Sequence, residues 1–548
     1  MTRPNALLIL IDSLRHDVVA NAEFRRAVTP TLDRLVAEGS FGKVVAQASN
    51  TQFVMPAFLS GTAPLDHGGY NDGCKRRPVC FPEAICDAGY RTALFSNCVL
   101  FNRDLGFDRG FEQTCVPINT RRALMQDIEY RLLEPVRRWR DGETSDAEIT
   151  QVLQREYGEI LDNLIEVHAS GRGEGVIPRA ARINRRLADD ARKERILLDR
   201  APLLVAQKLS AVPEAYYYAA LGKTRVGGRL QMIRIINKAY TTVGRVLGKI
   251  GPLRHIRFGH FDAIEPLGEE LLPRIIETLA VGERPWFTML HLMDVHTYAI
   301  CFDQILRRPI MLAKRLGRLS RIRRHCRKQG YDAPLLYFLN LSILDDMLGR
   351  LLETLRVSGQ MENTLIFVTS DHGATLPTID ARLTPDLTRR FLRADIETPF
   401  IVSGPGFQNT TQSGLRDSRD VGATVLDCLG IQIPQGHEGR SVFNGTGRDV
   451  VVSENAGRGF CDLQGDLNFS VTAATRKLFA RLRGSKIDVT EVYDLGSDPG
   501  ERENLVGQLD ADASSASLLG ALLRERAPLF TSRDVVIPPV ERKSQCAL

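Results

Sequence analysis

Four short apolar runs, each broken off by a polar or charged residue, limit this chain more than any other feature. Ala6–Ile11 ends at Asp12, Thr92–Phe95 at Ser96 and Asn97, Trp286–Met293 at Asp294, and Thr364–Thr369 at Ser370, Asp371 and His372. Each run has strand length and is rich in Leu, Ile, Val or Phe, as in strands buried on both faces. Helical stretches lie between them, at Pro82–Ala88 and at Leu335–Leu355, where apolar positions recur every three to four residues. Strands alternating with helices predict an α/β fold with a mostly parallel central sheet flanked by helices. Ligands of such sheets bind beyond the carboxyl ends of the strands. The polar residues just named occupy those ends, so side chains up to 360 positions apart are expected to meet in one cleft.

With 548 residues the chain has room for about two to four structural units. Residues 1–119 and 261–435 are expected to form the α/β catalytic domain. Residues 120–260 are Arg-rich and helical in character without a clear strand-like run, and read as a basic helical insertion. Residues 436–548 carry strand-like pieces (Val450–Ser453, Leu478–Leu482, Glu491–Leu495) and a late helix, Ala516–Arg526, which predicts a small C-terminal α+β subdomain. No apolar run approaches the ~18–20 residues that span a bilayer. The first run is too short for a signal-peptide core and no cleavage site follows it, so a cytoplasmic location is expected. The ten cysteines are scattered without zinc-ribbon spacing, as free thiols of a reducing compartment are.

The formal net charge of +6 is unevenly spread. Arg307–Lys328 holds ten Lys/Arg and no acid, and Arg225–Arg257 holds eight and no acid. Such blocks imply an anionic partner. In the first, Ile310, Leu312, Leu316, Leu319 and Ile322 recur at roughly helical spacing, which suits either a lid packed with its apolar side inward or a helix lying on the inner face of a membrane. The second, with Leu230, Ile233, Ile235 and Val243 among its cations, allows the same two readings. Nucleic acid is not expected, because no aromatic residue is interleaved with the arginines of Arg307–Lys328 to stack bases.

Asp371-His372-Gly373 offers a carboxylate and an imidazole to one metal ion, with Gly373 relieving backbone crowding. Asp12 is a second strand-end acid. Ser49 to Gly61 places small hydroxyl residues, Thr51 among them, before a helix with Pro56 near its start and Gly61 at its end. A hydroxyl at a helix N-terminus suits a nucleophile attacking phosphate or sulfate, although this segment alone reads as an ordinary N-cap.

Taken in order, Asp12, TQFVMPAFLSG, AGYRTALFSN, LGFDRGFE, LHLMDVH, LDDMLGRLLETL, TLIFVTSDHG, TPFIVSGPG and VYDLGSDPGERENL resemble the sulfatase branch of the alkaline phosphatase superfamily. The resemblance runs over roughly residues 4–115, 284–300 and 335–508. It implies that Asp12, Asp371 and His372 are metal ligands and that Thr51 is the nucleophile and a further ligand. It implies that His296 contacts the substrate oxyanion or leaving group, and that Asp345 is a structural acid. Asn97 stands where the family has a Lys and is expected to bind substrate, and Arg389, Arg390 or Arg393 either takes the place of a family Lys that clamps the substrate anion or forms a solvated basic face. A second metal ion would draw on Asp294, His296 and His437.

The chain departs from true sulfatases where their chemistry is most specific. Thr51 stands at the position of the Cys or Ser that becomes formylglycine, Phe53 replaces the motif's Pro, Met55 replaces its Arg, and Ser13 replaces a second acid. A Thr nucleophile with one Asp-His pair looks like the phosphoryl-transferring members. The expected activity is therefore metal-dependent hydrolysis or transfer of a phosphoric mono- or diester through phosphothreonine. The alternatives are sulfuric ester hydrolysis without formylglycine and an inactive homologue serving as a binding module. Two Asp, one His and a Thr oxygen favour one Mn²⁺ or Zn²⁺ ion over Ca²⁺, because imidazole is a poor calcium ligand; Ca²⁺ and Mg²⁺ stay open. The substrate is expected to be an anionic ester, lipid-linked or polyanionic; the oligomeric state is not read from the sequence.

Overall fold

A computed structural model describes residues 3–98, 101, 105–116, 120–169, 178–211, 232, 235–236, 238–239, 242–243, 246, 256–257, 267–282, 284–296, 300–301, 313, 316–331, 335–374, 391–457 and 461–533. The strands that organise it are β1 (Asn5–Ile11), β2 (Ser40–Val45), β3 (Arg91–Ser96), β4 (Gln113–Cys115), β5 (Trp286–Leu292), β6 (Thr364–Thr369), β7 (Glu397–Ser403), β8 (Thr410–Thr411), β9 (Val451–Ala456), β10 (Leu467–Thr472), β11 (Arg476–Arg483) and β12 (Lys486–Asp494). The fold is α/β with a large, mostly parallel main sheet, as expected. The chain divides into two units: Met1–Thr92 with Arg284–Phe287 and Arg356–Leu548, and Ala93–Glu283 with Thr288–Leu355.

In the first unit the strand order is β8-β2-β7-β6-β1. β1 and β6 run parallel, Asn5 opposite Thr364 through to Leu10 opposite Thr369. All six residues of β6, and Ala6–Ile11 of β1, are buried, which accounts for their unbroken apolar sequence. β7 runs antiparallel to both β2 and β6. Direction was beyond the sequence, since a doubly buried strand reads the same either way. Toward the C-terminus, β9, β10, β11 and β12 form a separate antiparallel meander, against which the helix Leu509–Glu525 packs.

The second unit holds most of β3 and β5, together with β4, which pairs in parallel with β3, Ala93 opposite Gln113. Between residues 120 and 210 it is helical: Thr120–Arg140, Asp146–Val152, Gly158–Ala169, Pro178–Arg200 and Pro202–Ser210. These helices bury a core of their own around Leu132, Leu153, Leu161, Leu198 and Val205.

Within Arg307–Lys328, the helix Leu319–Lys328 buries Ile322 and Cys326 while Arg321, Arg323, Arg324, Arg327 and Lys328 stay exposed. Arg318 pairs with Asp346 at 2.5 Å. Ile322 and Cys326 of this helix are therefore taken up by packing, Leu319 is half-buried, and its cations and Ser320 face solvent. Ile310 and Leu312 of the same stretch lie outside the described residues, and Leu316 is exposed.

Candidate active site

The register of β1 and β6 builds the site. Asp12 and Asp371 each lie two residues past the last paired positions, Leu10 and Thr369, so the two strands deliver their acids level with one another. Ser370 clips the ends together. Its hydroxyl lies 2.6 Å from both Ile11 O and His372 O, donates to one at a time, and accepts the Leu14 N–H at 3.0 Å. The turn after β1 places Ser13 in the left-handed region at φ 64°, an uncommon conformation for a residue with a side chain. There the Ser13 hydroxyl donates to Asp12 Oδ1 at 2.7 Å, and its N–H approaches Asp371 Oδ1 at 3.4 Å.

His372 is fixed from both sides. Its N–H donates to Asp371 Oδ1 at 2.9 Å, and its Nδ1 lies 2.6 Å from Gly373 O. A proton on Nδ1 satisfies that carbonyl and leaves the Nε2 lone pair facing Thr51. Gly373 must lack a side chain: a Cβ there would sit 2.1 Å from Ala394 O. Burial alone would lower the His372 pKa, but the charges of Asp371 and Asp12 outweigh it, and the pKa is raised.

The helix Thr51–Ser60 brings the hydroxyl. Asn50 caps it by accepting the Gln52 N–H at 3.1 Å, and Gly61 ends it in the left-handed region at φ 67°, its N–H donating to Ala57 O at 2.8 Å. Thr51, buried at the first helical position, donates to Asp12 Oδ2 at 2.8 Å, and its Oγ1 lies 3.2 Å from His372 Nε2. Asp12, Asp371 and His372 offer ligand atoms within 4.8 Å of one another. Two fully buried carboxylates and an imidazole beside a hydroxyl are a donor set that a divalent cation fits, and the cation would offset the cost of burying two negative charges.

Of the other expected residues, Asn97, Asp294, His296 and Asp345 belong to the second unit. Asn97 is buried and committed: its Oδ1 accepts the Met293 N–H at 2.6 Å and its Nδ2 donates to Asp294 at 3.0 Å. It braces the turn after β5. Asp294 also accepts the Gly268 N–H at 3.1 Å, and burial pushes its pKa up to about 6. His296 is exposed in that turn, and Asp345 is buried on the helix Leu335–Val357. Arg389 and Arg390 lie outside the described residues. Arg393 is spent on Glu397, 3.0 Å away, and its N–H donates to Glu501 at 2.6 Å.

His437 fills a slot lined by Gly61, Gly422 and Gly439, where Nδ1 accepts the Gly439 N–H at 3.1 Å. Burial first, and the Arg419 charge second, lower its pKa to about 4. Among the described residues, no group of three His, Cys, Asp or Glu ligand atoms other than Asp12, Asp371 and His372 comes so close together. Ser370 was legible only as a polar strand end and Ser13 only as the replacement of an acid; their hydrogen bonds were not. The only trace of the first was a Ser directly before the Asp-His pair.

The sequence profile described as Sulfatase matches residues 4–163 and 252–431, more than half of the chain. Its second stretch runs through Arg307–Lys328, which the short motifs do not reach. Arylsulfatase K of Bos taurus is 26% identical over 193 residues, covering 33% of this chain and 34% of its own. Choline-sulfatase of Rhizobium meliloti is 25% identical over 184 residues, covering 33% and 35%. The chain thus spans about a third of the length of these curated relatives. The crystal structure of the phosphonate monoester hydrolase of Agrobacterium radiobacter superposes with a TM-score of 0.52 at 15% identity, covering 96% of both chains, a likeness of fold.

Proposed function

This chain belongs to the sulfatase family, and from that premise we propose that it cleaves phosphoric esters through covalent attack by Thr51. The observation that carries the reading is the Thr51 hydroxyl, buried at a helix start between Asp12 Oδ2 and His372 Nε2. Asp12, Asp371 and His372 would hold a divalent ion, Mn²⁺ or Zn²⁺ by donor type, which when bound supplies a lowered hydroxyl pKa and charge neutralisation at the substrate oxygens. Asp12 orients Oγ1 by accepting its hydrogen bond. The positive dipole end of the helix Thr51–Ser60, at Thr51, favours negative charge on the phosphoryl oxygens. Thr51 Oγ1 bonds to phosphorus as the ester oxygen leaves, and water then cleaves the phosphothreonine. The family resemblance assigns protonation of the leaving group to His296, and that role is part of the proposal.

A second reading is sulfuric ester hydrolysis by the same hydroxyl, favoured by the relatives' own names, arylsulfatase and choline-sulfatase. The test is a screen of the purified full chain with nitrophenyl phosphate, bis-nitrophenyl phosphate, a phenyl phosphonate ester and nitrophenyl sulfate, each with Mn²⁺, Zn²⁺, Mg²⁺ and Ca²⁺. Phosphoester turnover that disappears in Thr51→Ala is expected. Turnover of sulfate alone would establish the second reading, and no turnover of any ester would favour a binding module.

A further inference from the structure

Eight described residues of the basic stretch Arg225–Arg257 share one property. Met232, Ile235, Ile236, Lys238, Ala239, Thr242, Val243 and Val246 are all helical and all exposed. Met232 is 56% exposed, Ile235 62%, Ile236 38%, Val243 50% and Val246 59%. Placed by their numbers on a helical wheel of about 100° per residue, the six apolar members of this set fall within an arc of roughly 100°, with Lys238 and Thr242 along one edge. The Thr242 hydroxyl donates to Lys238 O at 2.7 Å, so it needs no water on that face. A stripe of this width normally faces a core; left outward, it marks a contact surface.

The charge of the stretch decides what it contacts. Eight Lys/Arg and no acid lie between Arg225 and Arg257. A second copy of the same face would set these like charges against each other. An anionic partner with an apolar interior satisfies both the cations and the stripe. No helix among the described residues is long and apolar enough to cross a membrane, so the contact is one of surface docking. We propose that the face of Met232, Ile235, Ile236, Val243 and Val246 lies in the interface of an anionic lipid bilayer, apolar side chains at the acyl boundary and cations among the headgroups. The helix Leu319–Lys328, with Ile322 and Cys326 already packed, adds exposed cations.

The test uses the full chain with phosphatidylcholine vesicles and with mixed phosphatidylcholine–phosphatidylglycerol vesicles, at low and high salt. Co-sedimentation with the mixed vesicles alone, weakening with salt, is expected. The variant Ile235→Asp/Val243→Asp should partition at least about tenfold less while keeping its helical circular dichroism and its turnover of a soluble ester. Binding left unchanged in that variant would overturn the proposal, as would no binding to either vesicle at low salt. Concentration-dependent self-association abolished by the variant, without vesicle binding, would overturn it in favour of a second copy of the chain.

Discussion

Gly61→Ala should be among the most damaging single-methyl changes in this protein, and its cost divides into two measurable parts. Gly61 sits at φ 67°, where a side chain costs on the order of 1–2 kcal/mol. The added Cβ would also lie 2.2 Å from His437 Cγ and Cδ2 and 2.4 Å from Nδ1. The ring has little room to retreat, because a Cβ placed on Gly439 would be 2.6 Å from Cε1, so the neighbouring backbone already lies close on that side. Overpacking of this kind costs roughly 1–3 kcal/mol, giving about 2–5 kcal/mol in all. Urea unfolding followed by circular dichroism should show that loss as a lower midpoint. A double-mutant cycle with His437→Ala isolates the steric part: the double variant should recover about 1–3 kcal/mol relative to additivity and retain the backbone penalty. A Gly61→Ala midpoint within about 0.5 kcal/mol of the parent, or additive effects in the cycle, would refute the reasoning.

Four other outcomes are expected. Thr51→Ala should keep metal content and fold while lowering kcat by about a thousandfold or more, and Thr51→Ser should recover part of it; steady-state kinetics with metal analysis checks both. Asp371→Ala should remove metal and turnover together, read by elemental analysis of the purified chain. His437 is neutral when folded because its pKa is lowered from 6.5 to about 4, so the unfolded chain binds the extra proton between those values. Its contribution, on the order of 3 kcal/mol at most, is present above pH 6.5 and lost as the pH falls toward 4; His437→Gln should flatten that part of the stability profile. His296→Asn should slow esters of poorly acidic alcohols far more than nitrophenyl esters, and equal slowing of both would remove its proposed role.

The strands that carry the site were legible because burial on both faces writes an unbroken apolar run, and Asp12 and Asp371 were legible as the residues that end two of them. What sequence could not supply is register. Only the pairing of Leu10 with Thr369 makes those acids level, and nothing in either run says which strand is its neighbour. Asn97 shows the converse difficulty. A polar residue at a strand end serves equally as a ligand or as a brace for the next turn, and here the Met293 N–H and the Asp294 carboxylate claim it. β10 escaped notice because its sequence, Leu467–Thr472, alternates polar and apolar residues in an antiparallel meander, although every one of them is buried. The orientation of the basic helices was equally beyond the sequence, since an apolar stripe reads the same whether it faces a core or a bilayer.

The pairing of β1 with β6 also sets the timing of biogenesis. Thr364, the partner of Asn5, is synthesised more than 350 residues after it. At about 5–20 residues per second, the first strand waits on the order of 20–70 s for its neighbour. Until a neighbouring strand is made, the segment Ala6–Ile11 is a wholly apolar stretch with unpaired backbone, the kind of sequence that holdase chaperones bind and that nascent chains aggregate through. A chain truncated before Thr364 would never acquire that neighbour, and Asp12 and Thr51 would be made without Asp371 and His372.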